Sequence, residues 1–264
     1  MLWPVCLTQS HVCHTVGVMA TTDPNRIANW LATPLGSCLL GAEQQQVANL
    51  FERVFGVQLV QIGAWGEPDS FLPLSRTQRK ALVGLREAAG SAVIMDPAHL
   101  ALASDSADVV LLPHTLEFTP SPHALLREVD RILRPDGHLI VLAFNPGGPW
   151  GIRHLVTPGG FPPGALRLIG EGRLSDWLQL LSFDVDPVGH YCHVPPLNRC
   201  GINAAVPAGA ARWLPFLSGG YLIKARKRIH PLTPIKPVWR QPSLKVVGGL
   251  VEPSTRSHST RQAG

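Results

Sequence analysis

The apolar residues of this chain are most regularly ordered between residues 105 and 146. Asp108-Val109-Val110-Leu111-Leu112-Pro113 is a short continuous apolar run, the pattern of a strand covered on both faces. Ser121-Pro122 predicts a helix start, with a cap residue followed by proline at the first helical position. Leu125, Leu126, Val129, Ile132 and Leu133 then recur at helical spacing, while Arg127, Glu128, Asp130 and Arg131 fall on the opposite, polar face. Pro135-Asp136-Gly137 ends that helix and turns the chain. His138-Leu139-Ile140-Val141-Leu142-Ala143-Phe144 is a second buried strand. A strand, helix and strand in this order predict a parallel pair with a right-handed crossover.

The flanking segments supply further elements. Residues 42–55 form an amphipathic pattern with Val47, Leu50, Phe51, Val54 and Phe55 on one stripe. Residues 57–62 read as a strand that runs into Gly63-Ala64-Trp65-Gly66, and residues 91–95 as a strand ending at Asp96-Pro97. Residues 148–164 carry so many glycines and prolines that the pattern predicts a loop. A short helix is expected over 174–181, a strand over 183–191, irregular chain over 195–215 and a last strand over 220–225. No internal repeat is present.

Composition narrows the classes. A chain of 264 residues, 45% hydrophobic and 16% charged, is long enough to bury a large core. No apolar run reaches 18 residues, so no membrane span is expected. Residues 1–18 lack a basic leader region, and Met19 begins a more ordinary N-terminus, so those residues read as an extension or a start-site artefact. Five cysteines without regular spacing suit a reducing cytoplasm. Cys6, His11, Cys13, His14, Cys192, His193 and Cys200 include no Cys-x-x-Cys pair, so no metal site is expected. The net charge of +5 is unevenly spread: from Lys224 onward nine basic residues face one acid, Glu252, giving +8 and leaving −3 for residues 1–223. This proline-rich tail reads as a disordered basic extension, a candidate contact for an anionic partner.

The segments LLPHTLEF and HALLREVDRILRPDGHLIVLAFNP also carry a family resemblance. They resemble the second half of class I S-adenosylmethionine (SAM)-dependent methyltransferases. The resemblance is to the type 11 group, whose fourth strand ends in a His-x-Leu-Glu-His-like motif. There the next helix reads Leu-x-Glu-x-x-Arg-x-Leu-Arg-Pro-Gly-Gly. Here Asp136-Gly137 stands for Gly-Gly and Phe118 for the last histidine. The resemblance implies a Rossmann-like α/β fold: a mostly parallel sheet closed by a C-terminal antiparallel hairpin, with helices on both faces. It covers about residues 35–226, which leaves 1–34 as an N-terminal extension and 227–264 as the basic tail. Its cofactor would be SAM and its acceptor a small molecule. The alternative is a non-catalytic methyltransferase-fold protein that binds or assembles.

By the same resemblance, the cofactor would be met by Gly63, Ala64, Trp65 and Gly66, by Asp96, Pro97 and Ala98, and by Leu112, Pro113 and His114. Asp96 would meet the adenine amino group, although an Asp-Pro turn explains it equally well. His114 and Glu117 are weak catalytic candidates, each with a structural reading beside it. Asn145, Trp150 and Arg153 lie where the acceptor would bind. Two departures stand out. The usual acidic-x-Gly-x-Gly-x-Gly loop is Gln61-Ile62-Gly63-Ala64-Trp65-Gly66, with an indole where a small residue is normal. Residues 67–90 are also too few for the helix, strand and helix that ordinarily lie there. The first crossover helix is therefore expected to be shortened or lost, with a possible strand over 71–74 and a helix over 77–88.

Overall fold

The computed structural model describes residues 24–67, 70–85, 93–193, 195–196 and 215–228. Residues 1–18 and the tail beyond Arg228 lie outside them, as does most of 195–215. The chain divides after Ile229, and the fold below is that of the first unit.

Two helices, α1 (Pro24–Leu31) and α2 (Pro34–Phe51), precede the sheet. Thr33 caps α2, its hydroxyl accepting from Gly36 N at 3.2 Å. Helix α1 thus precedes the expected domain boundary at residue 35, yet Leu31 is buried in the core. The strands are β1 (Gln58–Ile62), β2 (Arg79–Gly84), β3 (Val93–Ile94), β4 (Ala107–Pro113), β5 (Leu133–Phe144), β6 (Phe183–Val185), β7 (Gly189–Tyr191) and β8 (Gly220–Lys227). Between them lie helices α3 (Thr115–Phe118), α4 (Pro122–Ile132), α5 (Pro149–Val156) and α6 (Glu171–Leu180).

The strand order is β3-β2-β1-β4-β5-β8-β6, with β7 also pairing β8. Strands β1 to β5 are mutually parallel, and β8 runs antiparallel to β5, β6 and β7. The β4-α4-β5 unit is as expected: parallel strands joined by an 11-residue helix that buries Leu125, Leu126, Val129 and Ile132. Pro122 opens α4, but the Ser121 side chain makes no capping bond; its carbonyl takes the Ala124 and Leu125 amides instead. Pro135-Asp136-Gly137, expected to end the helix, instead lies within β5: α4 ends at Ile132, and Asp136 adopts φ +62 where the β4–β5 register shifts.

Alternation along the strands separates two cores. Val110 and Leu112 of β4, with Leu139, Val141 and Ala143 of β5, pack beneath α4 and α6. Val109, Leu111, Ile140, Leu142 and Phe144 face the other way, toward α1, α2 and α5.

Three local expectations are corrected. Residues 71–74 are not a strand; Leu72–Leu74 is a single 3-10 turn, and it makes up the shortened first crossover. The helix expected over 77–88 does not form over residues 77–85, because Arg79–Gly84 is β2, aligned in parallel with all of β1 from Gln58↔Arg79 to Ile62↔Val83, while 86–88 lie outside the described residues. Leu82 and Val83 are buried between neighbouring strands, where ladder bonds and burial decide the conformation. Residues 148–164 are not all loop, since Pro149–Val156 winds into α5. The proline sits at its first position, where no amide partner is needed, and Gly151 packs tightly under the Pro146 carbonyl.

Candidate functional site at the carboxyl edge of the sheet

The sheet order reverses between β1 and β4: from β1 the sheet runs on to β2 and β3, from β4 to β5 and β8. Ligands of open α/β sheets bind beyond the carboxyl ends of strands at such a switch point. Gly63 N donates to Val83 O at 2.8 Å and Met95 N to Gly84 O at 2.9 Å, so the ends of β1, β2 and β3 finish at one edge. Gly63 (φ +93) and Gly66 (φ +74) both occupy the left-handed region that glycine enters freely. Gly63, Ala64 and Gly66 are half-buried. Asp96 lies after β3 with its side chain 64% exposed, where it accepts from Ala98 N at 3.0 Å and contacts His99 at 3.4 Å. The Ala98 amide and His99 hold its carboxyl below the usual range. Pro97 and Ala98 are half-buried beside it.

Other predicted site residues are interior. Leu112, Pro113, His114 and Glu117 are buried. Trp65 is buried and points away from the loop mouth toward α2, where its indole Nε1 donates to Glu43 Oε2 at 2.8 Å. Trp150 is buried, ring-stacked against Phe144 with centroids 5.9 Å apart. Asn145 is half-buried; its amide donates to Ser218 Oγ at 3.0 Å and its carbonyl oxygen accepts from Gly147 N at 3.0 Å. Arg153 lies over the Phe161 ring at 4.1 Å and donates to the Pro196 carbonyl. Among the described residues no group of three His, Cys, Asp or Glu is placed to hold a metal ion.

Beneath the glycine loop lies a polar network that the sequence reading missed. His114 sits at φ +54, a left-handed corner that turns β4 abruptly into α3. Its Nδ1 is 2.9 Å from Glu117 Oε2 and its Nε2 is 2.8 Å from Glu43 Oε1, all three side chains fully buried. Glu117 Oε1 accepts from Phe144 N at 2.6 Å, and Tyr191 Oη lies 3.4 Å from His114 Nε2. Both ring nitrogens face carboxylate oxygens, and the remaining carboxylate oxygens are already taken by Trp65 and Phe144. The arrangement is satisfied by an imidazolium between two carboxylates. Burial alone would disfavour the charged ring, but Glu43 and Glu117 together raise its pKa from 6.5 to about 9. Burial pushes Glu117 up as well, opposed by His114 and the Phe144 amide. The ring packs against both Phe144 (3.9 Å between centroids) and Trp65 (4.4 Å), aromatic neighbours that favour a cation.

Glu43 had a legible signal. Leu35, Leu39, Glu43, Val47 and Phe51 fall four apart, one buried row of α2 with an acid in its centre. The predicted helix, begun at Ala42, cut that row short.

A methyltransferase domain model matches residues 72–141. YafS of Escherichia coli K12 is 34% identical over 228 residues, covering 83% of this chain and 90% of YafS. The chain belongs to the family of YafS and has the Rossmann-like fold of class I methyltransferases. Solved methyltransferases share the fold at low identity. A Thermotoga maritima SAM-dependent methyltransferase, described as a possible histamine N-methyltransferase, superposes with a TM-score of 0.59 at 20% identity, covering 77% of this chain and 96% of that one. One from Aquifex aeolicus gives 0.51 at 14% identity, covering 77% and 98%. Gln61 stands where the resemblance would place the acid of a cofactor loop. It is buried, with its amide nitrogen donating to Gly63 O at 3.1 Å and its Oε1 unpartnered.

Proposed function

We propose that this protein binds S-adenosylmethionine across Gly63, Ala64 and Gly66, with Asp96, Pro97 and Ala98 toward the adenine, and methylates a small-molecule acceptor. The observation that carries this reading is the pair of left-handed glycines at the carboxyl end of β1, beside the switch point, in a loop whose one large side chain is drawn away under α2. The backbone of Gly63 and Ala64 is half-buried at that edge, and the Gln61 amide, whose Oε1 is unpartnered, holds the Gly63 carbonyl. Bound SAM would supply an electrophilic methyl group on a sulfonium. The chain's own part is to align an acceptor with that carbon, which needs no catalytic base. His114 and Glu117 do not serve as one, because each of their polar atoms already has a partner. Asn145 and Arg153, at and beyond the end of β5, remain as acceptor-side groups, and the buried Leu112, Pro113 and His114 would support the loop from inside.

A second reading, a non-catalytic binding or assembly protein, is favoured by one observation. A Cβ on Gly63 would meet Thr115 Oγ1 at 2.6 Å, and one on Gly66 would meet Ser70 Oγ at 2.7 Å and Leu40 at 3.1 Å. Both glycines are thus required by the protein's own packing, with or without a ligand.

Calorimetric titration of SAM into wild type and Asp96→Ala separates the two. The enzyme reading expects wild type to bind, and the exposed Asp96→Ala variant to melt normally but bind about 1–3 kcal/mol more weakly. Absence of both heat and thermal shift for wild type at millimolar SAM would leave the second reading.

A further inference from the structure

We infer that a cleft beside the second half of α2 binds a hydroxylated monocarboxylate of the sugar-acid class. The cleft offers about 360 Å³. Gln46, Asn49 and Arg53 line it from α2 and the turn that follows, Asp186 and Pro187 from the connection between β6 and β7, and Leu222 and Lys224 from β8. Three separate segments of the chain thus converge on a space of the size that small-molecule ligands occupy, about 300 Å³ or more. The cleft begins about one helical turn beyond Glu43 and extends away from the glycine loop, so the inference does not rest on SAM binding.

Charge and spacing give the ligand class. Lys224 Nζ and Asp186 Oδ2 lie 2.5 Å apart and neutralise each other. Among the described residues the exposed Arg53 guanidinium has no hydrogen-bond or ion-pair partner, and neither have the side-chain amides of Gln46 and Asn49. The lining therefore holds one unmatched charge, a cation whose planar fork suits a carboxylate. A phosphate ester, at about −1.5 to −2 near neutral pH, would be matched only in part. The sign of the local field shows at His138, opposite Arg226 on the strand next to β8. Burial lowers its pKa, and Lys224 and Arg226 lower it further against the smaller upward effect of Asp186 and Asp136. Gln46, Asn49 and Arg53 follow at i, i+3 and i+7, along about 10 Å of helical rise. With a carboxylate on Arg53, the two amides would meet hydroxyls farther along the same ligand, whose carbon chain would lie against Leu50, Pro187 and Leu222.

The test is a backbone-amide NMR titration of the full-length protein with gluconate. Sorbitol, the same carbon chain without the carboxylate, and inorganic phosphate are the comparison probes. Gluconate is expected to shift the Asn49, Gly189 and Leu222 amides saturably, with a Kd on the order of 1–10 mM. Arg53→Gln, an exposed substitution, is expected to leave Tm unchanged and to weaken binding about tenfold. No saturation up to about 100 mM gluconate, shifts confined to residues 63–66, or equal affinity of the Arg53→Gln variant would overturn the inference. Equal binding of sorbitol would overturn the carboxylate assignment, and tighter binding of phosphate would overturn the choice of carboxylate over phosphate.

Discussion

His114 Nε2 lies 2.8 Å from Glu43 Oε1 across 71 residues of sequence, fastening the corner after β4 to the middle of α2. With Glu117 on the other nitrogen, the ring joins the ends of β4 and β5 to a helix on one face of the sheet.

Replacing His114 by alanine leaves two buried carboxylates facing each other without a counter-ion. Breaking a buried ion pair in this way costs about 3–5 kcal/mol. Urea unfolding of His114→Ala is expected to show a loss of that size; a loss below about 1 kcal/mol would mean that water or protonation relieves the site.

The same ring sets a pH dependence. His114 has a folded pKa of about 9 against 6.5 for the free side chain, so the folded state binds its proton more tightly. That contribution is fully present below 6.5 and disappears as pH rises through about 9. Thermal melts of wild type should therefore decline between neutral pH and pH 9 or above more steeply than those of His114→Ala. Parallel curves would show that the ring is not the titrating group.

Trp65→Phe retains most of the buried ring but removes the indole donor to Glu43 Oε2. A buried carboxylate oxygen that loses its partner costs about 1–3 kcal/mol. The expected loss of stability should largely vanish when Trp65→Phe is made in a Glu43→Gln background, a coupling that a double-mutant cycle measures.

Gly63→Ala is expected to destabilise the fold by about 1–3 kcal/mol, because alanine must adopt φ +93 with its Cβ against Thr115. Thermal denaturation without ligand checks this. An unchanged melt would mean that the loop relaxes easily, and Gly63 variants would then be clean probes of ligand binding.

The β4-α4-β5 unit was legible because its signals are local: apolar runs of strand length, apolar residues at helical spacing, and a proline at the first helical position. Strand β2 was not, because Arg79 and Lys80 are exposed and the strand exists by virtue of pairing with β1. Helix α5 was masked by surrounding glycines and prolines that lie outside its span or at its first turn. At the candidate site, the positions of Gly63, Gly66 and Asp96 after the ends of strands were legible in the sequence. The partners of His114 were not, since Glu43 lies in a Glu-Gln-Gln-Gln stretch that resembles a solvent face until its helix is placed against the sheet.

Three ionisable groups that satisfy one another cannot be exchanged one at a time. A lineage that lost Glu43 alone would keep an imidazole lacking an acceptor, and one that lost His114 alone would keep two opposed anions in a dry interior. Each single replacement leaves a buried group without its partner, so homologues are expected to keep or to change the three together, whatever happens to the loop after β5.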